Sequence, residues 1–485
     1  MSNQRDKVLK GFAWVLSERL ATQGITFILQ IVLARILMPE QFGIIAMINV
    51  FIALANVFII TGFSAALIQK KDADELDFST IFYCSLVVAV LLYGILYATA
   101  PAIERYYNNM SGLCDITRVY ALSLILSTYN STQRAFVTRH MQFQKIFYST
   151  AIGAAVSGTL GIAMAYMGYG VWALVAQYLS NIVVGSIVLQ FIASWHPRLM
   201  FSLKRAKSLM SFGANILGAA LMGAIFEELR QLLIGKYYTA TDLSFYNRGR
   251  SFPHLVQTNV TGVINTVLFP AMSNHSDDPS AIKHMTRVSM KVASYLMCYT
   301  MTMMAVAAQP LIILILTEKW APAIPFMQVI CLAEMINVVS QANMQALKAS
   351  GRGDVLFKLE FIKKPAFLIF VIIAVKISVM AIAITMPLYS IYAAITNMSP
   401  NKKVLGYSMR EQLRDLMPSS LLALALAAVT VPFLFIDMGV TPKLICQIVL
   451  GTLTYWGLSR MFKVDSYQYV VNIVKDKILK RKEKQ

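Results

Sequence analysis

The chain has 485 residues, 57% hydrophobic and 14% charged, with a formal net charge of +19. Soluble chains carry about 25% charged residues, so an ordinary soluble globular protein is excluded. Apolar runs near 20 residues, the length that crosses a ~30 Å hydrocarbon core, recur from end to end and leave no room for an inserted soluble catalytic domain. The runs are continuous and do not alternate apolar with polar, which favours helices over a β-barrel.

About fourteen membrane spans are expected, near 11–34, 43–67, 78–98, 115–135, 147–167, 171–195, 208–235, 243–269, 289–316, 323–346, 357–375, 377–398, 415–436 and 442–462. The first is broken by Glu18 and Arg19 and is followed by no small-residue cleavage pattern, so it reads as a retained span and not a signal peptide. "DADELD" (Asp72–Asp77) is a short charged turn, and "PAIERYYNNMSGLCD" is the longest segment on the opposite side. The glycines and alanines of Ala151–Gly170 allow close helix approach. The tail Lys463–Gln485 places Val470, Val471, Val474 and Ile478 at helical spacing among lysines, the pattern of an interfacial helix drawn to anionic membrane lipid.

The basic residues are distributed by side. Arg5, Lys7, Lys10; Lys70, Lys71; Arg134, Arg139, Lys145; Arg198, Lys204, Arg205, Lys207; Lys283, Arg287; Lys348, Arg352; Lys402, Lys403, Arg410, Arg414 and the tail all fall at one end of the spans. The other end holds little beyond Arg35, Arg105, Arg118, Lys236, Lys319, Lys376 and Lys443. This is the positive-inside asymmetry, which puts both termini in the cytoplasm and explains the basic excess as topology, with no nucleic-acid partner. Cys84, Cys114, Cys298, Cys331 and Cys446 have no paired spacing, so neither a disulfide framework nor a metal site is expected.

A weak internal repeat occurs at an offset near 200. "LARILMPEQFGII" (Leu33–Ile45) lines up with "IGKYYTATDLSFY" (Ile234–Tyr246), and "FSAALIQKKDAD" (Phe63–Asp74) with "LFPAMSNHSDDP" (Leu268–Pro279). Six spans separate the copies, an even number, so the halves should run parallel about an axis along the membrane normal. The expected plan is an N-terminal lobe over 1–200, a C-terminal lobe over 201–400, and two further helices with a basic tail over 401–485.

"GFAWVLSERLATQGITFILQIVLARILMPEQFGIIAM", "IGKYYTATDLSFYNRGRSFPHLVQTNVTGVINTVLFPAMSNHSDD" and "LEFIKKPAFLIF" resemble bacterial polysaccharide flippases (Wzx-type) of the multidrug/oligosaccharidyl-lipid/polysaccharide exporter superfamily. One departure is the turn before span 8, often Leu-Gly in the family and Leu243-Ser244 here. The resemblance implies inward- and outward-open states that move a polyprenyl-pyrophosphate-linked oligosaccharide between leaflets of the bacterial inner membrane. It implies no cofactor, and it points to a polymerase and glycosyltransferases of polysaccharide assembly as partners.

Charges inside spans cost at least ~2.5 kcal/mol each and so mark sites. Arg19, Lys363 and Lys364 fall at inner depth; Arg230, Arg248 and Arg250 fall at outer depth. Two tiers of cations suit a pyrophosphate, whose oxygens take charge-assisted hydrogen bonds. Glu227 and Arg230 are i,i+3 neighbours and can pair, whereas Glu228 has no charged partner at helical spacing; Glu360 can pair with Lys363 or Lys364. Glu18, Glu228 and Glu334 are candidates for ion coupling, because desolvation favours a protonated carboxyl. Each of these charges also admits a structural role, as a packed-helix pair or a snorkelling side chain. Gln23, Gln30, Asn49, Asn56, Asn130, Asn215, Gln341, Asn343 and Gln345 suit either a sugar path or helix–helix bonding, the commoner use. Tyr237, Tyr238 and Tyr246 fall where aromatic belts sit.

A drug or cation exporter would want an anionic cavity, contrary to these cations. A peptidoglycan-precursor flippase shares the substrate chemistry and stays open. A glycan polymerase or ligase would show a large outside loop or an acidic metal-binding pair, and the sequence shows neither.

Overall fold

The computed structural model describes residues 23–61, 67, 73–193, 195–264 and 268–472. Glu18, Arg19, the first basic segment, most of the copy Phe63–Asp74, and Val474 and Ile478 of the tail lie outside the described residues. Among the described residues every regular element is helical. Two compact units result, Met1–Ser244 and Phe245–Gln485.

The first unit holds α1 (Gln23–Ile36), α2 (Pro39–Asn56), α3 (Glu75–Tyr106), α4 (Leu113–Tyr120), α5 (Leu122–Arg139), α6 (Phe143–Tyr166), α7 (Val171–Ile192), α8 (Leu203–Tyr237) and the start of α9 (Ala240–Val263). The second holds the rest of α9, then α10 (Pro279–Val306), α11 (Ala308–Leu316), α12 (Ile324–Ala349), α13 (Gly353–Ala374), α14 (Val379–Met398), α15 (Met409–Thr430) and α16 (Val440–Met461). Among the described residues, seven helices are long and apolar enough to cross a membrane by themselves, or eight if α10 and α11 form one bent span. The helices α5, α8, α9, α13 and α16 occupy expected spans but carry more polar side chains.

One expected span is interrupted. Residues 289–316 read as a single run, yet α10 ends at Val306 and α11 leaves at 67° to it. Pro310 lacks the N–H that would bond the Val306 carbonyl four residues back, and the chain turns there.

The repeat has a structural counterpart in its first pair of turns. Leu37 N–H donates to Leu33 O at 2.8 Å, and Tyr238 N–H, 201 positions on, donates to Ile234 O at 2.9 Å. Met38 N–H donates to Gln41 Oε1 at 3.0 Å; at the same offset Thr239 N–H donates to Asp242 Oδ2 at 3.1 Å. In both copies a side chain three residues ahead caps the N-terminus of the next helix. Asp74 and Asp278 likewise cap α3 and α10.

Small residues set the closest approaches. A Cβ on Gly161 of α6 would lie 2.7 Å from Gln177 Cβ of α7, while Ser149 donates to Gly185 O at 2.7 Å and Asn181 to Ser157 at 3.2 Å. A Cβ on Gly43 of α2 would overlap the Ala240 carbonyl, so α2 crosses the start of α9 with backbone against backbone.

The basic end of the first unit is closed by Phe78, Phe82, Phe136 and Trp195. Beside them, Arg205 on α8 donates to Asp74 and stands 3.2 Å from the fully buried Asp77. In the second unit, Tyr455 of α16 donates to Tyr295 O at 2.7 Å, and the Tyr295 and Tyr299 hydroxyls bond Ser459 and Thr452. Asp415 of α15 accepts from Arg287 of α10 at 2.7 Å and from Tyr407 at 2.7 Å, with Lys291 at 3.3 Å. These contacts moor α15 and α16 on α10.

Arg205→Ala removes the guanidinium facing buried Asp77 and should cost about 1–3 kcal/mol, read as a lower Tm in detergent. Hydrogen bonding to Arg205 holds the Asp74 carboxyl below its ordinary value. Its contribution is therefore present above about pH 3.9 and is lost as pH falls through the lowered value. The Tm gap between wild type and Asp74→Asn should be constant near neutral pH and narrow in acid; a gap that widens in acid contradicts the assignment. Gly43→Val should abolish stable folded protein, whereas Gly94→Val, where a Cβ meets nothing within 4 Å, should be tolerated.

Candidate functional site

Polar side chains collect on α12, α13 and α14. Lys363 lies ten residues into α13, about 15 Å from its start. Its side chain is 6% exposed; Nζ donates to Glu360 Oε1 at 2.6 Å and touches Met344 Sδ of α12 at 4.0 Å. Lys364 Nζ stands 3.7 Å from the second oxygen of the same carboxylate. Glu360 thus spreads over both lysines, one oxygen each, where helical spacing alone suggests a choice between them.

Along α12, Glu334, Asn337 and Ser340 recur every three residues and share a face. Glu334 is buried and accepts from Asn337 Nδ2 at 3.1 Å. Asn397 of α14 donates to Ser340 at 2.6 Å, and Asn401, just past that helix, donates to Asn343 Oδ1 at 2.5 Å. The bonds of Ser340 and Asn343 run from helix to helix, while that of Glu334 stays within α12.

The outer-depth cations divide between the units. Arg230 on α8 is half-buried, and Glu228 accepts from Gln231 Nε2 at 2.6 Å, a neutral partner that charge spacing does not reveal. Arg248 on α9 lies with its guanidinium 4.9 Å from the ring centre of Trp320, a fully buried indole that Phe245 also meets edge-on. Arg248 and Arg250 are both half-buried.

Tyr237 is exposed, as an interfacial belt requires, but Tyr246 is not. It is 1% exposed, packs edge-on against Phe326 and donates to Met386 Sδ at 3.3 Å, because its face of α9 turns toward α12 and α14. The amides of the first unit bond between helices: Asn49 accepts from Tyr120 at 3.0 Å, Asn56 from Ser127 at 3.2 Å, and Asn130 donates to Ser186 at 3.3 Å. The side chain of Asn215 lies outside the described residues. Sequence reasoning missed the cluster at Asp415, since Arg287 and Lys291 on α10, and Asp465 beside Lys291, lie far from it along the chain.

Fold and intramembrane charge define a multi-span helical membrane protein with buried cationic sites. The family model for polysaccharide biosynthesis proteins matches residues 32–325, more than half of the chain, and the chain belongs to that family. Among similar proteins, the succinoglycan biosynthesis transport protein ExoT of Rhizobium meliloti (strain 1021) is 23% identical over 350 residues, covering 72% of this chain and 71% of that one. The lipopolysaccharide biosynthesis protein WzxC of Escherichia coli (strain K12) is 22% identical over 417 residues, covering 85% and 84%. The lipid II flippase MurJ in an inward closed conformation shares the fold at TM-score 0.75 and 12% identity, covering 94% of this chain and 99% of that one. A MATE-family multidrug transporter facing inward matches at TM-score 0.57 and 11% identity, covering 79% and 94%.

The lysine cluster makes an asymmetric prediction. Glu360→Gln leaves the buried Lys363 ammonium facing an amide and should lower stability by about 1–3 kcal/mol. Lys363→Met leaves Glu360 half-exposed beside Lys364 and should cost less. Thermal unfolding of both variants checks the order; a larger loss in Lys363→Met would reverse the assignment of Lys363 as the dependent partner.

Proposed function

We propose that the protein is a flippase that carries a polyprenyl-pyrophosphate-linked oligosaccharide, a polysaccharide repeat unit, from the cytoplasmic to the periplasmic leaflet by alternating access. The observation that carries this reading is the pair Lys363 and Lys364 gathered on one carboxylate ~15 Å inside its helix, in a chain of the polysaccharide biosynthesis family. Ammonium groups at that depth are charge-assisted donors for the oxygens of a pyrophosphate. Arg19, Lys363 and Lys364 would take it from the cytoplasmic side, and Arg230, Arg248 and Arg250 would hold it toward the periplasm.

Glu18, Glu228 and Glu334 are the carboxylates we assign to ion coupling, with Glu334, buried and bonded to a neutral amide, the foremost. The repeat halves 1–200 and 201–400 are the moving parts of the proposal, with 401–485 an addition. The chain is placed in the bacterial inner membrane with both termini cytoplasmic, on the strength of its basic loops. We assign it no catalytic residue. The lipid-linked product of glycosyltransferases is the substrate, and a polymerase is the consumer of what it delivers. Relatives named for succinoglycan, teichuronic acid and lipopolysaccharide favour an envelope polysaccharide over a peptidoglycan precursor.

The test is glycan export in cells at matched protein levels. Lys364→Gln, Arg230→Gln and Arg19→Gln should each lower export about tenfold or more, the worth of one charge-assisted hydrogen bond. Unchanged export in all three defeats the proposal. Purified protein that extends or ligates a lipid-linked glycan by itself would make it an enzyme instead.

A further inference from the structure

The segment between α7 and α8 does no work in the transport reading, yet it is built for a specific contact. Residues 195–202 run without helix beneath the start of α3 and are stapled there through the backbone. Arg198 N–H donates to Ser79 Oγ at 3.3 Å, and Ser202 N–H donates to Thr80 Oγ1 at 3.2 Å. Trp195 anchors one end, 3% exposed among Phe78 and Phe136. Held in this way, the segment turns its apolar side chains outward: Leu199 is 97% exposed, Phe201 54% and Leu203 76%.

These side chains border a groove of about 580 Å³ lined by Tyr83, Val87, Val88, Leu199, Met200 and Phe201. Past the groove, α3 goes on to Val90 and Leu91, each at least half exposed, which is the surface a membrane span presents to hydrocarbon. The groove therefore opens toward lipid and not toward the protein interior.

Its charged rim has one sign to spare. Arg198 is engaged by Glu75 at 2.5 Å, and Arg205 by Asp74 and Asp77. Lys204 and Lys207 are exposed on the first turns of α8; spacing places Lys207 over Leu203 and beside Lys204. An apolar edge with two ammoniums above it is the arrangement of a monotopic anchor, hydrocarbon below and anionic headgroup at the cations.

We propose that residues 195–207 form a binding site for an anionic glycerophospholipid of the leaflet on the basic side. One acyl chain lies in the groove between Leu199–Phe201 and α3, and the phosphate meets Lys204 and Lys207. The lipid fastens the segment that links α7 to α8 to the membrane surface. It is distinct from the transported glycolipid, whose cations lie within the spans.

The experiment uses the full chain in vesicles of equal phosphatidylglycerol and phosphatidylcholine, with Leu199→p-benzoylphenylalanine as a photocrosslinker and the same residue at Leu91 as a bulk-lipid control. Mass spectrometry of the adducts reads lipid identity. Adducts at 199 should be lipid and enriched in phosphatidylglycerol over the ratio at 91. Lys204→Gln and Lys207→Gln should each reduce that enrichment by up to about fivefold, the worth of one basic residue near an anionic surface. Lipid adducts at 91 with none at 199 overturn the proposal, as do protein adducts at 199. Equal ratios at 199 and 91, or enrichment that survives the double lysine variant, overturn the anionic headgroup at those cations.

Discussion

A polar group inside a bilayer has no water to turn to, and this requirement shapes every feature described above. Backbone groups are satisfied within helices. Side chains that cannot be so satisfied find partners on a neighbouring helix, and the pairs then decide which helices touch. Ser340 with Asn397 and Asn343 with Asn401 join α12 to the α14 end; Asn130 with Ser186 joins α5 to α7. Each bond is worth only ~0.6 kcal/mol in measured membrane cases, but an unmatched amide would be worse placed anywhere else. The polar composition of α5 is thus compatible with spanning, because Thr128, Thr132 and Gln133 are turned inward.

Charges follow the same logic at higher stakes. Lys363 is more deeply buried than the carboxylate that serves it, while Lys364 takes the other oxygen of that carboxylate. Arg248 leans on the aromatic face of Trp320. At Asp415 the economy is reversed, with one buried carboxylate gathering Arg287, Lys291 and a tyrosine hydroxyl. That last cluster is a structural mooring. The first two keep cations among the helices, the feature on which the transport proposal rests.

Much of this was legible before any coordinates. Helical class follows from run length, and the close α6–α7 approach from the glycines of Ala151–Gly170. The pairing of Glu360 follows from i,i+3 and i,i+4 spacing. What escaped notice is non-local or depends on a single backbone atom. Asp415 meets Arg287 across 128 positions, and no periodicity reports such a pair. Hydropathy runs straight through Pro310, since a window average absorbs one proline among leucines and isoleucines and takes no account of the missing N–H. Tyr246 was misplaced because a belt is inferred from depth alone, whereas its burial depends on rotation about the α9 axis.

The matched turns at Leu33–Gln41 and Ile234–Asp242 bear on how the protein is assembled. Each turn is closed by contacts no more than four residues apart, so neither needs the remainder of the chain to form. Short-range closure is the fast kind. A nascent chain can therefore set both turns while later helices are still being made. The long-range amide and tyrosine bonds come afterward, sorting helices already formed.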